Sequence, residues 1–276
     1  MRKIYIVDET GATFEFNHQT KTLLVNLSGL GIERDNSYLS FENVYKLAKR
    51  EYPIGSISGT LIFKERYDGY TKFLNYIKKS KSPLRLYYQA DGLKYAYVEL
   101  RSLGKTEINQ GVLQCEVVFD KLSMWLRRLT QTIEVTANSL DKIYPYTYPF
   151  SYSISFTGEI DVVNAGCVRA PIRVEIIGKT KNPKVEILKN DKVISTLRLV
   201  LETNDVTDII VVDAEVTKQE MTLIEGNKTT DIYDLQDFNY DNFLFLELGN
   251  YQIRFDPGVT ESTICKISYI EMYEGN

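Results

Sequence analysis

Most of this chain alternates apolar and polar residues with a period of two, and one stretch departs from that pattern. Strict alternation, as in Ile172–Ile176, is typical of a strand that buries one face. In the stretch that departs from it, near residues 70–79, apolar residues recur at i, i+3, i+4 and i+7, which is the spacing of one helix face. Asp68 is a candidate N-cap for this helix. Its four apolar members are Tyr70, Phe73, Leu74 and Ile77. The sequence therefore predicts a mainly β fold with one helix near residues 70–79.

Turn residues between the alternating runs predict antiparallel hairpins. An Asp-Gly pair at 91–92 separates LRLYYQA from LKYAYVEL, and an Asn-Asp pair at 190–191 separates two further runs. The clearest hairpin is predicted in FLFLELGNYQIRF (243–255), whose leucines would share a face before Gly249 turns the chain with a positive φ. No comparable helical pattern follows residue 156, so the second half is predicted to be β throughout.

The two halves of the sequence are predicted to be separate domains. A chain of 276 residues can bury two cores, and ladders of strand-like runs occupy 1–126 and roughly 150–276. We predict an N-terminal domain at 1–130, a linker at 131–149 and a C-terminal domain at 150–276.

An aromatic segment, YPYTYPFSY (144–152), marks the predicted junction. Aromatic residues at every second position favour an extended chain, while Pro145 and Pro149 remove backbone donors and exclude a central strand. The aromatic side chains would either pack on the core of the second domain or form a contact strip against another chain, because exposed apolar strips mark interfaces. The candidate interface residues are Tyr144, Tyr146, Tyr148, Phe150 and Tyr152.

Composition excludes several functional classes. The net charge of −4 and the pI near 5.3 give no field that attracts nucleic acid, so no specific nucleic-acid binding is predicted. The longest aliphatic run, Ile209–Val212, is too short for a membrane span, and Asp8 interrupts the start before a signal-peptide core develops. We therefore expect no membrane association. Three scattered cysteines predict reduced, buried thiols rather than a disulfide framework.

The sequence contains no recognisable catalytic or nucleotide-binding motif. His18 is the single histidine and lies in a polar turn, and GSISG (55–59) has isoleucine where a nucleophilic serine would stand. An acidic cluster offers oxygen ligands for Ca²⁺, but its spacing is not that of an EF-hand, and a connecting loop is the simpler interpretation. Its members are Asp231, Asp234, Asp237 and Asp241. We predict no catalytic residue, no cofactor and no metal, although a carboxylate pair for glycoside hydrolysis stays open.

The order of several segments resembles that of siphophage distal tail proteins. In the first half these segments are LSGLG, GSISGTLIF, the aromatic helix YTKFLNYI and a hairpin that ends in FDKLSMW. In the second half they are VNAGCVRAPIRVEIIGKTKNPKVEI, FLFLELGNYQIRFD and ISYIEMYEG. The resemblance covers nearly the whole chain, and its specificity comes from the number and order of these packing and turn patterns.

The resemblance implies a fold and a function. The fold would be an N-terminal split β-barrel with one helix, similar to tail-tube proteins, followed by a C-terminal galectin-like β-sandwich. The chain would be a structural hub without enzyme activity, a homo-hexameric ring that joins the tail tube to the tip or baseplate. Implied partners are the tail tube protein, a tail-tip or tail-associated protein and receptor-binding or baseplate proteins, with DNA passing through the lumen. The protein would be made in the bacterial host cytoplasm and reside in the virion of a phage or prophage.

Two other functions stay open at this point. The first is a carbohydrate-binding adhesion module for host-cell saccharide, because galectin-like sandwiches bind sugars and tyrosines stack on pyranose rings. The second is a tail-associated peptidase or glycosidase. The chain has no insertion large enough for a carbohydrate-binding module, which argues against direct sugar recognition. Saccharide titration would detect the first activity, and turnover of a cell-wall substrate the second.

Overall fold

The computed structural model describes residues 3–90, 92–135, 157–259 and 263–276. The chain divides into two compact units, which we call the first and the second domain. The first comprises Met1–Arg127 together with Met272–Asn276, and the second comprises Arg128–Glu271. The predicted boundaries at 130 and 150 stay a prediction, because most of the predicted linker lies outside the described residues.

The first domain is built from strands and one α-helix. These elements are, in chain order, β1 (Lys3–Val7), β2 (Thr13–Glu15), β3 (Thr22–Ser28), β4 (Asp35–Phe41), β5 (Val44–Glu51), β6 (Gly55–Phe63), α1 (Tyr67–Lys79), β7 (Leu84–Ala90), β8 (Gly92–Leu103), β9 (Leu113–Lys121) and β10 (Trp125–Glu134). Strand β10 begins in the first domain and ends in the second.

Antiparallel pairing joins most of these strands into one sheet. The order is β3-β6-β9-β8-β7-β1-β2, in which β1 pairs with β2, and the predicted hairpin pairing of β7 with β8 is confirmed. Within the described residues this path stays open and does not close into a barrel. The prediction of a mainly β chain with one helix is confirmed, and the split-barrel description stays a prediction.

Helix α1 packs its apolar stripe against the first-domain core. Phe73 is fully buried, and its ring centroid lies 5.2 Å from that of Phe14 and 6.2 Å from that of Phe63. The N-cap prediction was wrong, because Asp68 lies inside the first turn and the cap position is Arg66. Arg66 has a φ of 55°, and its side chain makes no capping hydrogen bond. The helix therefore depends on burial of its stripe rather than on a side-chain cap.

A carboxylate beside this helix gives the first domain an acid-sensitive contact. Glu65 accepts hydrogen bonds from Lys72 Nζ at 2.6 Å and Lys21 Nζ at 2.9 Å, which lower its pKa from 4.5 to about 2. A lowered folded-state pKa means that the stabilisation is complete above about pH 4.5 and is lost as the pH falls towards 2. We expect Glu65→Gln to reduce the loss of stability between pH 5 and 2, measured by urea unfolding at each pH. If the variant loses as much unfolding free energy between pH 5 and 2 as the wild type, Glu65 is not the source of the acid sensitivity.

The second domain consists of strands and a short 3₁₀ helix within the described residues. Its strands are, in chain order, β11 (Gly158–Asn164), β12 (Ala170–Ile177), β13 (Thr180–Lys181), β14 (Lys184–Lys189), β15 (Lys192–Arg198), β16 (Glu202–Thr203), β17 (Ile209–Asp213), β18 (Glu220–Glu225), β19 (Lys228–Asp231), β20 (Phe245–Leu246), β21 (Gly249–Asp256) and β22 (Ile264–Tyr273), and the 3₁₀ helix is Tyr233–Leu235.

Two antiparallel sheets of the second domain enclose one core. One has the order β19-β18-β17-β12-β22, and the other has the order β11-β21-β14-β15. Val174 and Ile267 from the first sheet and Ile187 and Phe255 from the second are buried in the same apolar cluster. The second domain is therefore a β-sandwich, and its specific likeness to galectins stays a prediction.

The two hairpins predicted in this domain had different outcomes. The hairpin around residues 190–191 is confirmed, because β14 pairs with β15 and both turn residues have positive φ. The prediction of a hairpin in FLFLELGNYQIRF was wrong. Strand β20 pairs with β12, whereas β21 pairs with β11 and β14 in the other sheet. Gly249 does have the predicted positive φ, 111°, but its bend passes the chain between two sheets instead of closing a hairpin.

Candidate functional site

The described residues contain no recognisable catalytic or metal-binding constellation. No group of three or more His, Cys, Asp or Glu side chains among them is placed to hold a metal ion. Three carboxylates of the predicted acidic loop accept structural hydrogen bonds: Asp231 from the Tyr233 amide, Asp237 from Asn239, and Asp241 from the Ser195 hydroxyl of β15. No helix in these ranges has the length and apolarity required to cross a membrane.

The surroundings of the single histidine and of the buried cysteines indicate structural positions rather than reactive groups. His18 is exposed, as predicted, and its Nδ1 lies 3.2 Å from Lys64 Nζ. Cys115 and Cys265 are buried free thiols, as predicted, and burial raises the pKa of both, whereas the prediction was wrong for Cys167, which is half-buried. A buried thiol with a raised pKa carries little of the reactive thiolate, so these two side chains serve as core residues.

The second domain has a polar groove that bears on the carbohydrate-binding alternative. It is about 460 Å³ in volume, and its lining includes Asp161, Asn190, Asn250 and Gln252. The aromatic residue of this lining, Tyr251, is buried, with Lys189 Nζ 4.9 Å from its ring centroid. The groove therefore offers hydrogen-bonding groups without an exposed aromatic face on which a sugar ring could stack.

The candidate site is a run of exposed apolar side chains on a hairpin, residues 35–51, which we call the exposed hairpin. Strands β4 and β5 form a separate two-stranded sheet, paired from Asp35↔Glu51 at the base to Phe41↔Val44 at the tip. Large apolar side chains on it face solvent: Tyr45 is 72%, Val44 67% and Phe41 58% exposed. An isolated two-stranded ribbon is marginally stable in water, so this segment gains most from a second surface that covers it.

Both faces of the exposed hairpin are apolar. Directly paired residues of an antiparallel ribbon project from the same face, and successive residues of a strand alternate. One face therefore carries Tyr38, Tyr45 and Leu47. The other carries Leu39, Phe41 and Val44. A ribbon that packed on its own domain would need only one apolar face, and exposed apolar surface of this kind is typical of interaction sites.

The base of the exposed hairpin is held by a carboxylate from the end of the described chain. One carboxylate oxygen of Glu274 accepts a hydrogen bond from the Tyr52 hydroxyl at 2.7 Å. The other oxygen forms an ion pair with the Arg34 guanidinium. These contacts, the Tyr52 hydrogen bond first, lower the pKa of the Glu274 carboxyl. The group is therefore ionised at neutral pH.

Neighbouring backbone contacts complete this base. The Asn276 amide donates to the Leu30 carbonyl at 3.0 Å. Leu30 and Tyr273 both pack against the first-domain core, and Lys94 Nζ lies 4.4 Å from the centroid of the Tyr273 ring. The base of the exposed hairpin is thus joined to the first-domain core, whereas no residue of its two strands belongs to either core cluster.

Sequence reasoning did not identify the exposed hairpin. Its two-residue loop is Glu42-Asn43, with Glu42 at φ 52°, and lacks the glycine that usually signals such a turn. Apolar residues on both faces also obscure the one-sided alternation of an ordinary strand. Two runs of exposed aromatic and aliphatic residues around a polar pair, YLSF and VYKL, were the available signal.

The interface predicted in the aromatic segment falls on residues that the structure does not describe. Its five members, Tyr144, Tyr146, Tyr148, Phe150 and Tyr152, are all outside the described residues. Their role in contacts with another chain stays a prediction.

Comparisons with known proteins identify the kind of domain that carries the exposed hairpin. Residues 3–122 match the family model of the distal tail protein, N-terminal domain. A chain of the phage P2 baseplate in its activated conformation aligns with a TM-score of 0.67 and 17% identity, and the alignment covers 100% of both chains. The Dit protein of phage SPP1, described as a paradigm of the hub adsorption apparatus in phages that infect Gram-positive bacteria, aligns with a TM-score of 0.62 and 12% identity over 97% of this chain and 98% of that one. The comparison with curated proteins found no match.

These findings confirm the resemblance to distal tail proteins. The family match includes the whole exposed hairpin, and the two structural alignments show that the shared fold extends over the entire chain.

Proposed function

We propose that this chain, which carries a distal tail protein N-terminal domain, is a structural hub of a bacteriophage or prophage tail and works as a ring of six copies. The ring joins the tail tube to the tip or baseplate in the virion, and DNA passes through its lumen. Its partners are the tube protein, the tip protein and the receptor-binding or baseplate proteins. The observation that carries the proposal is the exposed hairpin with two apolar faces.

A closed head-to-tail ring accounts for that hairpin, and the choice of a ring over a two-fold dimer, which would also cover both hairpins, is taken from the resemblance to distal tail proteins. In a head-to-tail ring each copy inserts its hairpin into the next copy and receives one from the previous copy. Every hairpin is then covered, and growth stops when the ring closes. The strands β4 and β5 are also edge strands, and burial in a ring removes the risk of open-ended edge pairing. The number six is taken from the resemblance to distal tail proteins.

The role is structural rather than catalytic. The surroundings of His18 and of the acidic loop explain those residues without a reaction. The aromatic segment 144–152 adds a second contact between copies in this proposal.

Removing the apolar groups of the exposed hairpin tests the proposal. We expect the wild-type protein to form a six-fold ring at high concentration, or together with its tail partners, because ring stability depends on concentration. The triple variant Phe41→Ser, Val44→Ser, Tyr45→Ser should associate at least about a hundredfold more weakly, since truncated hot-spot residues cost about 1–2 kcal/mol or more each. Sedimentation velocity and negative-stain microscopy measure both quantities.

A matched variant separates lost contacts from a general loss of surface hydrophobicity. Val216 and Phe238 of the second domain are 78% and 77% exposed, so Val216→Ser with Phe238→Ser removes comparable apolar surface elsewhere. We expect this control to assemble like the wild type. A stable two-fold dimer, or a hairpin variant that still forms rings, would rule out the proposed ring contact.

A further inference from the structure

We propose that Glu274 acts as a latch that fixes the direction of the exposed hairpin and so prepares it for its partner. This inference rests on the proposed function, because it assigns a positioning residue to the same contact. Glu274 would not touch the partner itself.

The latch joins both ends of the hairpin through one side chain. Arg34 immediately precedes β4, and Tyr52 immediately follows β5. Each binds a different oxygen of the Glu274 carboxylate, across sequence separations of 240 and 222 residues. The Glu274 side chain is 14% exposed.

The hairpin has little else to hold its direction. Its strands pair only with each other among the described residues, and no side chain of either strand is buried. A ribbon attached only at its base can swing as a rigid body, even when its own ladder of hydrogen bonds stays intact. Two contacts at the base, one just before β4 and one just after β5, oppose such a rotation.

The latch itself stands on a firm support. Tyr273, the residue before Glu274, packs against the first-domain core and lies beneath Lys94. The Asn276 amide bonds to Leu30, which precedes the hairpin and packs against the same core. The carboxylate is therefore held from both sides along the chain, and it transmits the rigidity of the core to the hairpin.

Loss of the latch should weaken assembly without unfolding the domain. A hairpin that samples many directions must be ordered when the ring forms, and this ordering cost reduces affinity. We expect Glu274→Ala to weaken ring formation by about tenfold. Tyr52→Phe, which removes only the hydroxyl group, should have a smaller effect of the same sign. Glu274→Gln, which keeps an acceptor for Tyr52 but loses the charge opposite Arg34, should fall between the wild type and Glu274→Ala.

The direct test measures the hairpin in the unassembled protein. Spin labels at Asn43→Cys on the exposed tip and Lys78→Cys at the exposed end of α1, in a Cys167→Ser background, report the tip-to-helix distance. Double electron–electron resonance should give a narrow distance distribution for the latched protein and a broad one for Glu274→Ala. Glu42→Gln removes a charge at the hairpin tip, away from the latch, and serves as the matched control with an unchanged distribution.

The two measurements distinguish failure of the latch from failure of the ring. A narrow distribution in Glu274→Ala overturns the latch whether or not rings form. A broad distribution in a protein that never assembles supports the latch and contradicts the proposed function. If Glu274→Ala does not show the wild-type melting transition, the distance measurement on Tyr52→Phe decides: broadening supports the latch and an unchanged width overturns it.

Discussion

Replacing Phe73 with alanine is expected to lower the free energy of unfolding of the first domain by about 3–5 kcal/mol. The side chain is fully buried and contacts the rings of Phe14, Phe16 and Phe63. Alanine would leave a cavity that these rigid neighbours cannot fill, so the cost includes lost burial and lost packing. Calorimetry should show the first-domain transition lowered by on the order of 10 °C or more.

Leu74→Ala is the control for this measurement. Leu74 is next to Phe73 on the same helix but only half-buried, so its truncation changes helix propensity similarly and opens a smaller cavity. We expect it to cost about 1 kcal/mol. Equal effects of the two substitutions would show that α1 does not anchor the core through Phe73.

Gly29→Ala is expected to destabilise the first domain by about 2–5 kcal/mol, the sum of a left-handed backbone penalty of about 1–2 kcal/mol and a steric strain of about 1–3 kcal/mol. Gly29 has a φ of 79°, and an added Cβ would lie 1.8 Å from the Ser56 carbonyl oxygen. That oxygen belongs to the backbone of β6, which pairs on both sides and cannot yield without breaking its ladder.

Gly11 separates the two components of this cost. Its φ is 88°, but no atom lies within 4 Å of a Cβ built there, so Gly11→Ala carries the backbone penalty alone. Urea unfolding of both variants should show the Gly29 substitution to be the more harmful by about 1–3 kcal/mol. A difference near zero would mean that β6 moves aside.

Local signals explain what could be predicted from the sequence. The stripe that contains Phe73 repeats at helical spacing within eight residues, and the hairpin at 190–191 lies within one short turn. The prediction around Gly249 failed because a glycine turn reports only that the chain bends. The sheet that β21 joins after this bend is determined by its pairing partners β11 and β14, which lie far away in the sequence.

The candidate site was less accessible to sequence reasoning. The exposed hairpin lacks a glycine turn, and its apolar residues look like core residues until the structure places them in solvent. The contact between Glu274 and Arg34 spans 240 residues, and no periodicity or turn pattern connects positions so far apart. The resemblance to distal tail proteins identified the kind of protein without pointing to the exposed hairpin that we propose as its contact surface.

The first domain is discontinuous in the sequence, and this has a consequence for how the protein matures on the ribosome. Residues 272–276 are translated only after the entire second domain, although they belong to the first. Until they emerge, the Leu30 carbonyl lacks the Asn276 amide, and the base of the hairpin lacks the carboxylate that joins Arg34 to Tyr52. If the proposed latch is correct, a chain whose synthesis stops before residue 274 presents a hairpin without the carboxylate contact at its base.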